Sequence, residues 1–407
     1  MTPHTEKQVS IVLMVLLLFA TQACTDIFLP GLPMIAHELG ASMEQTNRII
    51  SAYNYSQAAV VLFIGVISDL YGRRSTLLWC FALHLLATLW IAVSDSLPHI
   101  ILMRAVQALG SAAVYIILRL IIKDTLDKKA QIHATGLLVI GLVLSPILAP
   151  ALGAWIIQLS TWRNCFWGIA LFELPLFVWA LNTIAETNHQ QREFRTAFRF
   201  KNHVLSYYTV LKDRYFLGLA LIVGSVFAAF YAFISISSYM YIHQYSIEKT
   251  HYAYVFIGIA ASYLMGNRLM SQLNANNLSP QRIIGLGMCV SLVGTALILT
   301  ELLSPPALAT LVMTTLGICL LRLATALINP PVQVVVTNHF NNKGSYALGL
   351  LTCIQYVFAA IGTTLVSGLH FKPSGNLMLT TSLFVALSLV GFLVALRTPQ
   401  LKASSQE

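Results

Sequence analysis

The feature that most constrains this chain is a series of twelve apolar runs, each of about 20 residues or more, the length at which a helix crosses a bilayer. The runs lie near residues 9–35, 46–67, 76–94, 98–119, 133–158, 163–184, 215–241, 252–272, 282–302, 306–330, 346–370 and 376–396. Only 10% of the 407 residues are charged, whereas soluble domains carry about a quarter. The sequence therefore predicts an all-α polytopic membrane protein with twelve transmembrane helices, and no nucleic-acid partner is expected.

The distribution of basic residues predicts the orientation of these runs. With the amino terminus in the cytoplasm, the outer segments hold only Arg163, Lys249 and Lys372 among the loop cations, and the inner segments hold the rest. This bias follows the positive-inside rule and places both termini in the cytoplasm. Topology thus explains the net charge of +9 better than a basic partner-binding patch does.

The first run is interpreted as a retained helix rather than a cleaved signal peptide. Thr21 and Gln22 fit a lipoprotein cleavage site poorly. Cleavage there would also discard Asp26 or leave it at a terminus.

The runs fall into two groups of six around one long polar stretch, as in a duplicated transporter body. We predict an amino-terminal six-helix bundle over residues 1–184, a cytoplasmic linker over 185–214, and a second bundle with a short cytoplasmic tail over 215–407. The long stretch is expected to serve as a linker or a surface helix, and no chemistry is assigned to it.

Absent motifs exclude several mechanisms. No phosphate-binding G-x-x-x-x-G-K-[ST] sequence is present, which argues against ATP hydrolysis. The spans contain neither a repeated selectivity-filter sequence nor a regular series of arginines, which argues against a selective channel or a voltage sensor. The six cysteines stand singly and the loop histidines lack ligand spacing, so no metal or cofactor is expected. No nucleophile, base and orienting group suggest an enzyme, so transport driven by an ion gradient is expected. The alternative class is a non-transporting membrane receptor or an enzyme embedded in the bilayer.

The loop after the second run has an acid beside paired arginines, framed by glycines. It reads G-x-x-S-D-x-x-G-R-R, with Gly65, Asp69, Gly72, Arg73 and Arg74. Such a loop can form a charge network at the cytoplasmic face. It resembles the signature loop of the major facilitator superfamily, and the resemblance implies that it latches the outward-facing state.

Two further motifs strengthen the resemblance. Arg104 begins an R-x-x-Q-x-x-G sequence that resembles a motif of the superfamily, and Pro146, Pro150 and Gly153 resemble the Pro/Gly-rich helix-packing motif of its drug:proton antiporters, although Ala154 replaces a second glycine. With the segment T-D-I-F-L-P-G-L-P at 25–33, the chain is similar to the Bcr/CflA-type branch. The resemblance implies two pseudo-symmetric six-helix bundles that alternate in access, a monomer in the bacterial inner membrane, and export of small molecules in exchange for protons.

Asp26 is the candidate proton carrier, because an ionisable group within a span is costly unless it is paired, hydrated or neutralised. Low dielectric favours its neutral form, so it can take and release a proton. Helical rise places Asp26 and Arg104 in the same half of the membrane, and Arg104 is expected to tune it. The alternatives are a structural or hydrated Asp26 and an Arg104 that is capped by backbone carbonyls.

A substrate cavity is proposed from polar and aromatic residues on helices that line it in the family fold. Tyrosine rings in particular suit large amphipathic ligands. The candidates are Tyr53, Asn54, Gln57, Tyr115, Tyr231, Tyr239, Arg322, Gln355 and Tyr356. Packing against lipid or neighbouring helices remains the alternative for each aromatic residue.

Two ionisable residues depart from the pattern of the family. Arg322, in the tenth run, would disfavour a cationic drug and attract a carboxylate, unless it pairs internally or snorkels. Glu173, in the sixth run, is expected to be protonated and packed rather than a second proton site. The leading expectation is thus a proton-coupled multidrug exporter. The alternative is a dedicated exporter of an anionic metabolite such as a carboxylate siderophore.

Overall fold

A computed structural model of the chain describes residues 10–188, 200–302, 308–340 and 343–398. All regular structure within these ranges is helical. The α-helices are α1 (Ile11–Asp26), α2 (Leu32–Glu38), α3 (Met43–Tyr71), α4 (Arg73–Val93), α5 (Leu97–Thr125), α6 (Lys128–Leu159), α7 (Arg163–Thr183), α8 (Phe200–Leu211), α9 (Arg214–Ser238), α10 (Lys249–Ala275), α11 (Pro280–Ile298), α12 (Leu308–His339), α13 (Gly344–Gly368) and α14 (Pro373–Arg397). The prediction of an all-helical chain is therefore confirmed for the described residues.

Eleven helical stretches in the described ranges are long and apolar enough to cross a membrane. They coincide with eleven of the twelve predicted runs. The helix at the remaining run, α10, has 27 residues but is not among them. Its last third carries Asn267, Arg268 and Asn274, whose polar side chains lower its hydropathy.

The first of these stretches, Ile11–Glu38, is interrupted near its centre. Helix α1 ends at Asp26, a short 3₁₀ turn follows at Leu29–Gly31, and α2 continues to Glu38. Pro30 and Pro33 lack the backbone donor that a continuous α-helix requires, which explains the break. Asp26 is therefore the last residue of a helix inside the apolar stretch.

The described residues form two compact units. Residues 10–41 and 59–188 belong to the first unit, and residues 42–58 together with the described part of 200–398 belong to the second. Helix α3 is divided between them, because its first residues associate with the second unit. Within the second unit, for example, Asn47 of α3 donates a 2.7 Å hydrogen bond to Ser367 of α13.

The first unit packs α1 against α6, and α4 against both α5 and α7. Two glycines permit the closest approaches. A Cβ atom at Gly153 of α6 would collide with the backbone of Ile27, and one at Gly110 of α5 would collide with Cys80 and His84 of α4. Helix α6 continues through Pro146 and Pro150.

The second unit is centred on α9, which is buried along most of its length against α13 and α14. Ala228, Ala229 and Phe384 form part of its core. After Ser238 the chain continues as a π-helical turn, Tyr239–Gln244, in which Tyr239 and Tyr241 are buried. Helix α9 thus presents side chains to neighbours on nearly all sides.

The predicted linker contains α8, which packs against α13 within the second unit. His203 of α8 lies 3.2 Å from the Tyr346 hydroxyl, and Tyr207 packs edge-on against the Tyr346 ring. Burial raises the pKa of Tyr207 to about 12, with smaller contributions from Tyr346 and Cys353. Tyr207 therefore stays neutral at physiological pH. Arg192, Glu193 and Arg195 of the predicted linker lie outside the described residues.

Candidate functional site

The loop between α3 and α4 forms the charge network that its sequence indicates. Arg73 contacts Asp69 at 2.6 Å and Asp124, near the end of α5, at 3.1 Å. Its guanidinium also donates to Ser68 Oγ at 2.6 Å, and that hydroxyl donates to the Gly65 carbonyl. One arginine therefore joins the end of α3 to the end of α5.

A second carboxylate, Glu186, closes this loop from the segment after α7. Glu186 accepts hydrogen bonds from the backbone N–H groups of Arg73 and Arg74, at 2.8 and 3.2 Å. These are orphan donors at the beginning of α4, where a carboxylate also interacts favourably with the helix dipole. Gly72 precedes them with a φ of 94°, a conformation that favours glycine.

Asp124 and Glu186 are absent from the sequence-based proposal for this loop. Arg74 connects the same loop to α7, because its guanidinium donates a 2.9 Å hydrogen bond to the carbonyl of Leu181 near the end of that helix. Acids at the ends of apolar runs are common on any membrane protein. Only their position beside Arg73 and Arg74 identifies them as partners of the loop.

Asp26 lies at the carboxyl end of α1 and is half-buried. Its Oδ2 accepts a 3.0 Å hydrogen bond from Ser145 Oγ of α6, the residue that precedes Pro146. Asp26 therefore joins the first apolar stretch to the Pro/Gly-rich motif of α6.

Arg104 of α5 is only 1% exposed. Its Nη1 donates to the Cys24 carbonyl at 3.2 Å and to Gln107 Oε1 at 2.5 Å, and its guanidinium lies 4.8 Å from the centre of the Phe28 ring. Cys24 and Phe28 flank Asp26 in sequence. Arg104 is thus fixed to the backbone of the segment that carries Asp26.

Gln107 extends this arrangement into a buried polar network. Its Nε2 donates to Thr88 Oγ1 at 2.7 Å and contacts Cys24 Sγ at 2.8 Å. Its backbone carbonyl lies 2.8 Å from His84 Nδ1 of α4. The Gln107 residue therefore connects α1, α4 and α5.

His84 also contacts Glu173 of α7, with 2.9 Å between Nε2 and Oε1, and both side chains are fully buried. Glu173 is thus paired with His84, a partner that the sequence did not indicate when it favoured a packed carboxyl over a second proton site. His84 itself is absent from the sequence-based site. A single histidine in an apolar run gives no signal by which its partner can be recognised.

The predicted cavity residues are distributed unevenly between the two units. Tyr115 lies in the first unit, where its hydroxyl accepts a 3.0 Å hydrogen bond from Arg119. The other predicted residues lie in the second unit. Five of these side chains are buried and three are half-buried. The buried residues are Tyr53, Asn54, Gln57, Tyr239 and Gln355, and the half-buried residues are Tyr231, Arg322 and Tyr356.

Arg322 of α12 lies between two aromatic rings. Its guanidinium carbon is 4.1 Å from the centre of the Phe230 ring and 4.3 Å from that of Tyr263. Such contacts stabilise a cation where water is scarce. Phe230 and Tyr263 were not predicted from the sequence, because neither is near Arg322 along the chain.

The aromatic surroundings continue along α9 towards α13. Phe227 packs against Tyr231 and Tyr356, with ring centres 5.1 and 6.0 Å apart respectively. The Phe230 ring in turn packs edge-on against Tyr231. The structure therefore brings together three of the predicted cavity residues, Tyr231, Arg322 and Tyr356, through phenylalanines that the prediction missed.

An amide cluster lies on α12 and α13 in the same unit. Gln355 Nε2 donates to Asn329 Oδ1 at 2.7 Å, and Gln333 donates to the same oxygen at 3.2 Å. Pro330 and Pro331 follow Asn329 inside α12 and remove two backbone donors. Gln355 is thus positioned by a neighbour, Asn329, that the prediction did not include.

No group of histidine, cysteine, aspartate and glutamate suitable for a metal is present in the described part of the chain. The first unit supplies buried ionisable groups, and the second supplies rings, amides and one arginine.

Comparison with known families gives a decisive match. The family model described as Major Facilitator Superfamily matches residues 14–363. The chain belongs to this superfamily. It is therefore a multi-pass membrane transporter rather than an enzyme.

Two curated relatives illustrate its place in the superfamily. The chain is 24% identical to the uncharacterised MFS-type transporter YdgK of Bacillus subtilis over 371 residues, which cover 90% of each chain. It is 31% identical to the multidrug resistance protein MdtL of Escherichia coli over 162 residues, which cover 40% of this chain and 41% of MdtL.

Solved structures share the fold. A bacterial homologue of the human lysosomal transporter Spinster matches with a TM-score of 0.74 and 13% identity, covering 97% of this chain and 98% of that one. The xylose transporter XylE of Escherichia coli matches with a TM-score of 0.71 and 12% identity over the same shares. At these identities the likeness concerns the fold alone.

Proposed function

We propose that this transporter exports small organic molecules, drugs among them, in exchange for protons, by alternating access in the bacterial inner membrane. The similarity to MdtL supports substrates of the drug type. The Bcr/CflA-like sequence around Asp26 supports the same branch of the superfamily. The exporter acts as a monomer surrounded by lipid.

The observation that carries this proposal is the position of Asp26. It ends a helix inside an apolar stretch, is half-buried, and accepts a hydrogen bond from Ser145 of another helix. An ionised Asp26 requires compensating charge. Arg104, which is fixed on the carbonyl of Cys24, supplies that charge nearby.

The loop at Asp69 and Arg73 serves as the latch in this mechanism. Its ionic contacts reach α5 through Asp124, and Glu186 connects it to the segment after α7. Such a set of contacts can stabilise one conformation until a ligand that binds another conformation more tightly shifts the equilibrium. Gly72 and Arg74 complete the turn that forms it.

The proposed topology has twelve spans and two cytoplasmic termini. Helix α10 crosses the membrane with the eleven others, because 27 residues extend about 40 Å. The distribution of basic residues supports the orientation. Two six-helix bundles follow from the order of the spans.

The experiment that tests Asp26 is proton release from the purified full-length protein in weakly buffered detergent. We expect release on addition of tetraphenylphosphonium, a lipophilic cation, and loss of that release in Asp26→Asn. Asp95→Asn is the matched control, because this exposed carboxylate contacts Arg163 outside the proposed site. Equal release by wild type and Asp26→Asn would remove Asp26 from the mechanism.

A second candidate function is export of an anionic metabolite, such as a carboxylate siderophore. The position of Arg322 favours it, because this half-buried cation lies among aromatic rings in the second unit, and a guanidinium matches the geometry of a carboxylate. In the same assay, release with citrate but not with tetraphenylphosphonium, lost in Arg322→Gln, would establish this function instead.

A further inference from the structure

The R-x-x-Q-x-x-G sequence in α5 contacts His84 of α4, a residue that belongs to none of the recognised motifs. Gln107 binds Arg104 with its side chain and His84 with its backbone carbonyl. Gly110 lies against the backbone and Cβ of His84, where any larger residue would collide. Gln107 and Gly110 thus both contact His84, and Arg104 is hydrogen-bonded to Gln107.

The hydrogen-bond geometry determines where one proton of His84 must be. A backbone carbonyl only accepts, so Nδ1, 2.8 Å from the Gln107 carbonyl, carries a hydrogen. Nε2 then faces Glu173 Oε1 at 2.9 Å. If both of these atoms lacked a proton, two acceptors would face each other at hydrogen-bond distance.

Burial limits the pair to one shared proton. His84 and Glu173 each lie ten or eleven residues into a 21-residue helix, about 15 Å from its start, and both side chains are 0% exposed. A second proton would leave an uncompensated positive charge there, and loss of the shared one would leave a negative charge. Either state is costly in the interior of a membrane protein.

The surroundings of the pair contain few other ionisable groups. Cys80 lies one turn earlier on the same helix, Cys24 contacts Gln107 from α1, and Arg104 binds Gln107 on α5. Neither carboxyl oxygen of Glu173 accepts a hydrogen bond from a described residue, and Oε1 has only the 2.9 Å contact with His84 Nε2. A bare carboxylate is therefore poorly solvated at this position.

We infer that His84 and Glu173 form a buried proton-binding site that holds one proton and is linked through Gln107 to Arg104. This site is separate from Asp26 and goes beyond the proposed export function. Its ligand is the proton itself. Through Gln107 and Arg104, the state of the pair influences the backbone at Cys24, two residues before Asp26.

The test locates the shared proton without any transport measurement, so its outcome is independent of whether the chain exports drugs. Full-length protein with ¹⁵N-labelled histidine rings is examined by NMR, with His84→Gln to assign the resonances. The carbonyl stretch of a protonated Glu173 is followed by infrared spectroscopy, with Glu173→Gln to assign the band.

We expect one proton on the pair from about pH 5 to about pH 8, the range in which an ordinary histidine titrates. Either His84 Nε2 or Glu173 will carry it, and Glu173→Gln will leave His84 neutral with its hydrogen on Nδ1. The proposal would be overturned if neither His84 Nε2 nor Glu173 carried a proton, or if both did. Glu301→Gln, a half-buried carboxylate in the second unit, should leave the His84 resonances unchanged.

The link to Arg104 is tested in the same spectra. Arg104→Gln removes the charge that is bound to Gln107. We expect this variant to shift the resonances of His84 and to change the fraction of the shared proton that resides on His84 rather than on Glu173. Arg163→Gln is the control, because Arg163 lies at the beginning of α7 and contacts Glu38 and Asp95 instead. Identical His84 resonances in wild type and Arg104→Gln would refute the link.

Discussion

Arg104 in the first unit and Arg322 in the second are both arginines within apolar helices, but they are stabilised differently. Arg104 is almost completely buried and donates to a backbone carbonyl and to the Gln107 amide oxygen. Arg322 is half-buried, and two aromatic rings cover its guanidinium. Both arrangements offset the cost of a cation in a membrane span.

The difference concerns direction. Hydrogen bonds to Arg104 fix the orientation of its guanidinium to within a narrow range of angles. The contacts of Arg322 with Phe230 and Tyr263 are with the faces of aromatic rings instead. The first unit therefore surrounds its buried arginine with polar groups, and the second unit places two aromatic rings against its arginine.

The largest effect is expected from Gln107→Leu, which removes the amide acceptor from Arg104. Hydrogen bonds to charged groups contribute more than neutral ones, and a buried charge would lose a partner. We expect a loss of about 3 kcal/mol in the free energy of unfolding, measured by reversible unfolding in mixed micelles.

Gln355→Leu is its matched control in the second unit. This buried amide donates to Asn329, so its removal breaks a hydrogen bond between neutral groups. The expected loss is about 1 kcal/mol. Equal losses in the two variants would contradict the distinction between a charge site and a neutral site.

An intermediate effect is expected from Arg73→Gln in the loop between α3 and α4. The variant leaves Asp69 and Asp124 near each other without the cation that joins them. Allowing for the partial exposure of both carboxylates, we expect a loss of about 2 kcal/mol in the same assay.

Arg268→Gln provides the comparison in the second unit. Arg268 is exposed at the end of α10 and forms no ion pair with another described residue. Its replacement should leave stability unchanged within error. A comparable loss in Arg268→Gln would mean that removing a positive charge destabilises the protein by itself, independently of the ion pairs that Arg73 forms with Asp69 and Asp124.

The smallest effect is the coupling between Phe230 and Arg322. A double-mutant cycle of Phe230→Leu and Arg322→Met separates their interaction from the loss of ring volume. We expect a coupling free energy of about 1 kcal/mol, the typical magnitude of a cation–π contact. A cycle of Phe233→Leu with Arg322→Met should give none, because Phe233 packs against Tyr241 and Phe256 instead. Zero coupling for Phe230 would show that the rings do not stabilise the arginine.

Much of the fold was predictable because hydropathy and charge are properties of consecutive residues. Eleven predicted spans coincide with helices of sufficient length, and α10 occupies the position of the remaining run, the eighth. The motif around Asp69 and Arg73 was also readable, since its residues lie within one turn. Its partners Asp124 and Glu186 were not, because they follow it by about 50 and 110 residues.

The sequence alone determined that this chain is an all-helical membrane protein with a charged loop after α3 and an isolated acid, Asp26, in its first span. The packing of the helices was needed to show which residues contact each of these groups: Ser145 contacts Asp26, His84 contacts Glu173, and Phe230 contacts Arg322. The reason is physical. A residue enters a membrane span because of its local sequence, but a hydrogen bond requires two atoms from different helices to come within about 3 Å. That distance depends on how the helices pack.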